Sequence, residues 1–304
     1  MFAGVRGLSW HMREGGSVVD CRRLGLSTVE PARTSTMVSD LFNRVVLVTG
    51  ASGIAAAGAR LFGELGASVF VVSRTEEKCV RLADEIAAAG GTCGWARADL
   101  TVEEEGNEAT QACLDRFGRI DGLFAVAGGS GRRFGDGPLH EMDLDGWEAT
   151  FDLNGHPAFL AARNSIRAMR SQEPDTSGTR GSVVLVASVL AEHPAPGHFA
   201  THAYAAIKGA EIALTKTLAS YYAAEGIRVN AIAAGLIRTP MAERAAGDPQ
   251  IAAYTARKQP LAKGLLDPEE VAAAAVFFLS DASRSVTGQV LAVDGGWSVS
   301  ESSP

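Results

Sequence analysis

The sequence predicts a doubly wound α/β domain. Three observations carry this. Short apolar, β-rich runs alternate with Ala-rich or amphipathic helical stretches along most of the chain. The runs are too continuously apolar for one-sided strands, as parallel strands buried on both faces are. A Gly-rich turn joins the first run to the first helical stretch, where open α/β sheets bind ligands.

The elements follow in order. Arg44–Thr49 (RVVLVT) is the first strand, followed by a Gly/Ser turn and a helix to about Gly66. Ser68–Ser73 is the second strand, and Glu76–Ala89 a helix stopped by Gly90-Gly91, a common C-terminal signal. Thr92–Ala98 and Val102–Phe117 form the third strand and helix; Ile120–Ala127 is the fourth strand, ending at Gly128-Gly129. A long helix over Leu144–Arg170 contains Pro157, which leaves the carbonyl of Leu153 without its usual amide and predicts a kink. Then come a strand at Ser182–Ala187, a helix over Tyr204–Ala224 and a strand at Ile227–Ala231. Asp267 as N-cap and Pro268 at the first helical position open a helix to Leu279, and Gln289–Val293 closes the sheet. Strand–helix alternation implies right-handed parallel crossovers, hence one sheet covered on both faces.

Composition narrows the function. The 304 residues carry 28 basic and 35 acidic side chains, a formal charge of −7. That argues against a nucleic-acid module and gives no attraction to an anionic membrane. The longest apolar run, Val271–Leu279, is far below a membrane span. The four cysteines form no CxxC pair, and the chain is long enough to bury a core without disulfides; reduced thiols and a cytoplasmic location are expected, with no metal site. Residues 1–40 differ in texture, with scattered Arg, Gly, Ser and Pro and no apolar signal core, and are expected to be a weakly ordered extension of a catalytic domain at 41–304.

Two local patterns carry chemistry. In Thr49-Gly50-Ala51-Ser52-Gly53-Ile54-Ala55, glycines between a strand and a helix let backbone N–H groups approach a pyrophosphate. Tyr204 and Lys208 stand four apart at the start of a helix, on one face. A neighbouring ammonium favours phenolate, and bringing a tyrosine from ~10 to ~7 needs roughly 4 kcal/mol. By spacing alone, a solvated helix face is the better reading of the pair.

The order of these motifs resembles the short-chain dehydrogenase/reductase family over about residues 40–300. Thr49–Ala55 is similar to its Thr-Gly-x-x-x-Gly-x-Gly turn, and Asp99-Leu100 to the pair that meets adenine. Ala127-Gly128 matches the end of its Asn-Asn-Ala-Gly segment, Leu153-Asn154 its helix asparagine, and Tyr204/Lys208 its Tyr-x-x-x-Lys. Ser188 stands where the family has its catalytic serine. The stretch Val229–Met241, with Ile237 and Thr239, resembles the segment that holds nicotinamide, and Val293–Gly296 the closing strand.

The resemblance implies a Rossmann-like domain with a mainly parallel seven-stranded sheet. It implies hydride transfer between a nicotinamide cofactor and an alcohol or ketone, with Asn154, Ser188, Tyr204 and Lys208 as catalytic residues. Tyr204 would be the acid/base, Ser188 would bind the substrate oxygen, Lys208 would hold the ribose and Asn154 would support a relay water. Gly50, Ser52, Gly53, Ile54, Ser73, Arg74, Asp99, Leu100, Ala127, Gly128, Tyr204, Lys208, Ile237 and Thr239 would meet the cofactor. Ser73 is neutral where an acid would grip the ribose of NAD, and Arg74 follows it, so NADP is expected. The resemblance further implies a lid near 240–265 and a homodimer or homotetramer built on the helices after strands four and five.

The departures from the pattern are specific. The glycine turn is one residue short, and Ala55 replaces its last glycine. Val126 replaces an asparagine, and Ala234-Gly235 replaces Pro-Gly, which loosens a turn near nicotinamide. The Ser188–Tyr204 loop is slightly long. These leave a second reading open: a non-catalytic nucleotide-binding protein with a disabled glycine turn. Arg132 and Arg133 follow the fourth strand, as candidates for an anionic substrate or as a solvated loop.

Overall fold

The computed structural model describes residues 41–175 and 177–300. The expectation about residues 1–40 lies outside them. The seven strands are β1 (Val45–Thr49), β2 (Ser68–Ser73), β3 (Thr92–Arg97), β4 (Gly122–Ala125), β5 (Gly181–Ser188), β6 (Ile227–Ala234) and β7 (Val290–Val293). They form one sheet in the order β3-β2-β1-β4-β5-β6-β7. Every pairing is parallel. Leu47 pairs with Phe70 on one side and Leu123 on the other.

The helices are α1 (Ile54–Glu64), α2 (Glu76–Ala88), α3 (Glu103–Phe117), α4 (Leu144–Ser171), α5 (His202–Tyr222), α6 (Glu243–Gly247), α7 (Pro249–Lys258) and α8 (Pro268–Leu279). Side chains alternate across the sheet. Val46 and Val48 of β1 pack with Phe62 of α1 and Val271 and Phe278 of α8. Val45 and Leu47 pack with Cys113 of α3 and Ile166 and Met169 of α4 on the other face. The strand period of two thus builds two cores from one strand. α1 approaches β4 closely because Gly58 has no side chain: a Cβ there would stand 2.6 Å from the Phe124 ring.

Several bounds differ from expectation, with physical reasons. β4 stops at Ala125 because the Val126 and Ala127 amides leave the ladder and donate to Thr49 Oγ1 at 2.9 and 3.0 Å. β6 runs on to Ala234, paired with Ser188, through an Ala-rich stretch that carries little β signal. α4 keeps its expected course, Leu144–Ser171 with Pro157 inside it. Residues 240–265, expected as a lid, hold a short 3-10 turn, then α6 and α7, then the connection toward α8. Among the described residues no helix is long and apolar enough to cross a membrane. The sequence order reverses between β1 and β4, which opens a crevice at the carboxyl ends of the strands.

Candidate active site

The crevice is a cleft of about 730 Å³, within the range of small-molecule sites. Its floor is the β1–α1 turn. Gly50 and Gly53 both take positive φ, +102° and +54°, so the shortened turn closes on two glycines. No side chain caps α1 at Gly53, and the first N–H groups of a helix have no partner within it. A Cβ on Gly53 would lie 2.8 Å from Thr239, and one on Gly128 would lie 2.5 Å from Asn154 Oδ1. These bare backbone positions beside an uncapped helix start fit a pyrophosphate. The Ala55 methyl group is buried in the core behind the turn.

Of the expected residues, Gly50, Ser52, Gly53, Ile54, Arg74, Ala127, Gly128, Asn154, Ser188, Tyr204, Lys208, Ile237 and Thr239 line this one cleft. Ser73, Asp99 and Leu100 do not reach it. Leu100 packs its side chain into the core, which leaves only its backbone to meet a base. Asp99 stands 3.8 Å from Arg74. Although burial works against the Asp99 carboxylate, hydrogen bonds from Thr101 and the charge of Arg74 hold its pKa below the ordinary value.

Ser188 ends β5, and its hydroxyl accepts from Leu190 N at 3.2 Å. Asn154 is fully buried. Its Oδ1 accepts from Gly129 N at 2.9 Å, and its Nδ2 donates to Gly129 O and Thr150 O at 3.1 and 2.9 Å. Its side chain therefore clamps the turn after β4. Lys208 lies at 5.9 Å from the Tyr204 ring centre. Its ammonium donates to Val186 O at 2.9 Å and to both oxygens of Glu211 at 2.9 and 3.0 Å. Burial opposes this charge, but Glu211, aided by Tyr204, outweighs it and the Lys208 pKa is raised.

Sequence reasoning missed four supports. Glu211, 3% exposed, neutralises Lys208; its i,i+3 spacing was the available signal. Asp136, also 3% exposed, accepts from Ala203 N at 3.0 Å and Tyr204 N at 3.2 Å. It fixes the start of α5, and with it the tyrosine. Thr49 replaces the polar support lost at Val126 by holding two backbone amides. Gln259 accepts from Leu236 N at 2.6 Å, and its Nε2 donates to Leu236 O at 3.1 Å and Gly264 O at 2.6 Å. That clamp stiffens the segment expected to be loosened at Ala234-Gly235. Asp136, Thr49 and Gln259 act across long sequence separations, which no local pattern reveals.

A nucleotide-type turn, an uncapped helix and a Ser/Tyr/Lys set at one sheet crevice define a dinucleotide-linked oxidoreductase. Comparison with known proteins gives the class. The family model described as enoyl-(acyl carrier protein) reductase matches residues 48–298. The chain is 37% identical over 263 residues to an A-factor type gamma-butyrolactone 1'-reductase (1S-forming) of Streptomyces virginiae, covering 85% of this chain and 97% of that one. It is 36% identical over 262 residues to a 2,5-dichloro-2,5-cyclohexadiene-1,4-diol dehydrogenase of Sphingobium indicum, covering 86% and 99%. A solved structure described as an NAD(P)-dependent gluconate 5-dehydrogenase from Beutenbergia cavernae, with NADP bound at low occupancy, superposes with a TM-score of 0.76. It is 36% identical, with 86% of this chain and 99% of that one covered. The chain belongs to the short-chain dehydrogenase/reductase family and is an oxidoreductase of alcohol and carbonyl groups.

Proposed function

We propose that the protein interconverts a small-molecule alcohol and ketone with NADP(H), using Tyr204 as general acid/base. The observation that carries this reading is the convergence of Ser188, Tyr204 and Lys208 on the cleft floored by Gly50–Ile54. Bound NADP(H) supplies the hydride for reduction or accepts it in oxidation. In reduction, Ser188 Oγ donates to the substrate oxygen and stabilises its growing charge, and Tyr204 Oη gives the proton that makes the alcohol. In oxidation the phenolate takes that proton back. Asp136 holds the backbone of Tyr204 in place, and Lys208 keeps a positive charge beside it. Ile237 and Thr239 would hold the nicotinamide end, and Gly50, Ser52 and Gly53 the pyrophosphate.

The NADP preference rests on Arg74 at the end of β2, exposed and beside the cleft, with neutral Ser73 before it. The intact catalytic set disfavours the non-catalytic reading. α4 exposes Leu144, Phe151 and Phe159, 67%, 40% and 49% accessible and spaced along one face. This supports a homodimer or homotetramer packed on α4 and α5. The described cysteines are free thiols, which suits the reducing cytoplasm.

Thermal melts with NADPH and with NADH test the cofactor. A ligand at 100 times its Kd adds about 2.7 kcal/mol of stability. NADPH should stabilise strongly and NADH weakly, and Arg74→Ala should erase the difference. Equal loss for both cofactors would refute the role of Arg74, and silence from both would favour the non-catalytic reading.

A further inference from the structure

The charge of the cleft is at odds with the charge of the chain. The protein is acidic overall, at −7, yet none of the described residues lining the cleft is Asp or Glu. Its charged lining residues are Arg74, Arg132, Arg133, Arg244 and Lys208. Two have assigned partners: Arg74 stands beside Asp99, and Lys208 is neutralised by Glu211. The other three form no ion pair among the described residues.

These three come from two separate parts of the chain. Arg132 and Arg133 lie on a 3-10 turn, Gly131–Phe134, after β4. Arg244 lies on α6. The turn is rigidly seated: a Cβ on Gly131 would lie 2.1 Å from Thr150 Oγ1 and 2.8 Å from Asp136. Arg132 reaches the β5–α5 loop, where Nη2 donates to His198 O at 3.4 Å. Arg133 stacks over Phe134 at 4.5 Å. Burial and the facing charge of Arg244 lower the Arg132 pKa, with Asp136 opposing. Asp136 offsets part of this charge, but its carboxylate bonds the Ala203 and Tyr204 amides and forms no ion pair with either arginine among the described residues. Arg132 and Arg244, both exposed, thus line one cleft whose other walls include Leu190, Phe199 and Trp297.

We infer that the substrate carries a carboxylate, seated between Arg132 and Arg244, on an apolar body that lies against Phe199 and Trp297. Guanidinium groups bind carboxylates through paired, charge-assisted hydrogen bonds. A one-signed cleft also concentrates anions above their bulk level. This inference rests on the oxidoreductase reading and adds the chemical class of its substrate.

The test uses the full chain with saturating NADP(H) and matched pairs of a carboxylate and its neutral ester or amide. Levulinate is compared with methyl levulinate for turnover. Cyclohexanecarboxylate is compared with cyclohexanecarboxamide for binding by calorimetry, which needs no turnover. The acids should win by roughly tenfold or more, as expected when a charge-assisted contact is lost. The acid/neutral ratio should fall toward one in Arg132→Ala/Arg244→Ala and should shrink in high salt. Equal handling of acid and neutral partner overturns the inference and leaves the oxidoreductase reading intact. So does an unchanged ratio in the double variant accompanied by a large loss of NADPH affinity, which would assign the arginines to the cofactor phosphates. If the wild type binds neither NADPH nor NADH and the carboxylate binds no better than the amide, both readings fail, each by its own measurement.

Discussion

At the scale of single residues, the site depends on buried charges that support one another. Lys208 is 5% exposed and Glu211 3%. Removing one partner of such a pair leaves an uncompensated buried charge, which costs about 3–5 kcal/mol. Glu211→Leu should therefore destabilise the fold by that order in denaturant unfolding. Lys208→Met/Glu211→Leu should recover most of the loss, because an apolar pair of similar volume is often neutral or better. It should not recover turnover; recovered turnover would show that the pair serves stability alone. Tyr204→Phe should lower turnover about 10²–10⁴-fold, the usual worth of a positioned acid/base, while NADPH still raises the melting temperature. The Tyr204 and Lys208 positions were legible through the Tyr-x-x-x-Lys motif taken with its neighbours in order, since a spacing of four on a helix also fits a solvated face. Asp136 was not, since it meets Tyr204 from 68 positions away.

At the scale of elements, the strands and most helix starts were legible because buried parallel strands are continuous apolar runs. Asp267 and Pro268 marked the start of α8 correctly, and Glu270 adds a bond to the Asp267 amide at 3.3 Å. The short β4 was not legible, because its last amides are taken by the Thr49 hydroxyl rather than by a neighbouring strand. The segment after β6 taught the same lesson. Its missing proline suggested looseness, whereas a fully buried glutamine on the far side of two helices supplies the stiffness. Gln259→Ala would strand the Leu236 amide and carbonyl, and an unpaired buried polar group costs about 1–3 kcal/mol. The expected outcome is a loss of about 2–3 kcal/mol in unfolding, with weaker NADPH binding, because Ile237 and Thr239 follow directly. An unaltered NADPH affinity in a destabilised variant would confine Gln259 to folding.

At the scale of the whole molecule, acid sensitivity follows from carboxylates on opposite margins of the sheet. Burial alone would raise Asp175 and Asp294. Hydrogen bonds from Ser177 and Thr179, with Arg44, hold Asp175 below its ordinary value of 3.8. Bonds from Ser298 and Gly296 do the same for Asp294. Carboxyls whose folded pKa is depressed bind fewer protons folded than unfolded. Their stabilisation is complete above the unfolded value and is lost as pH falls through the folded values. Unfolding free energy should thus be flat toward neutrality on their account and decline below about pH 4. Asp175→Asn/Asp294→Asn should flatten that acid limb, and a limb of unchanged slope would sink the assignment.

Gln259 is also the residue that ends α7, and the far end of that helical segment begins at Pro240, three residues after Ile237. The two ends of the 240–258 excursion are therefore stapled to each other through one amide group. An arm hinged in this way cannot swing about one root alone, since rotation at the α7 end is transmitted to the segment after β6 that carries Ile237. Were this arm to cover the cleft as a lid, admission of substrate and release of the dinucleotide would share a single mechanical element, and their rates would rise or fall together.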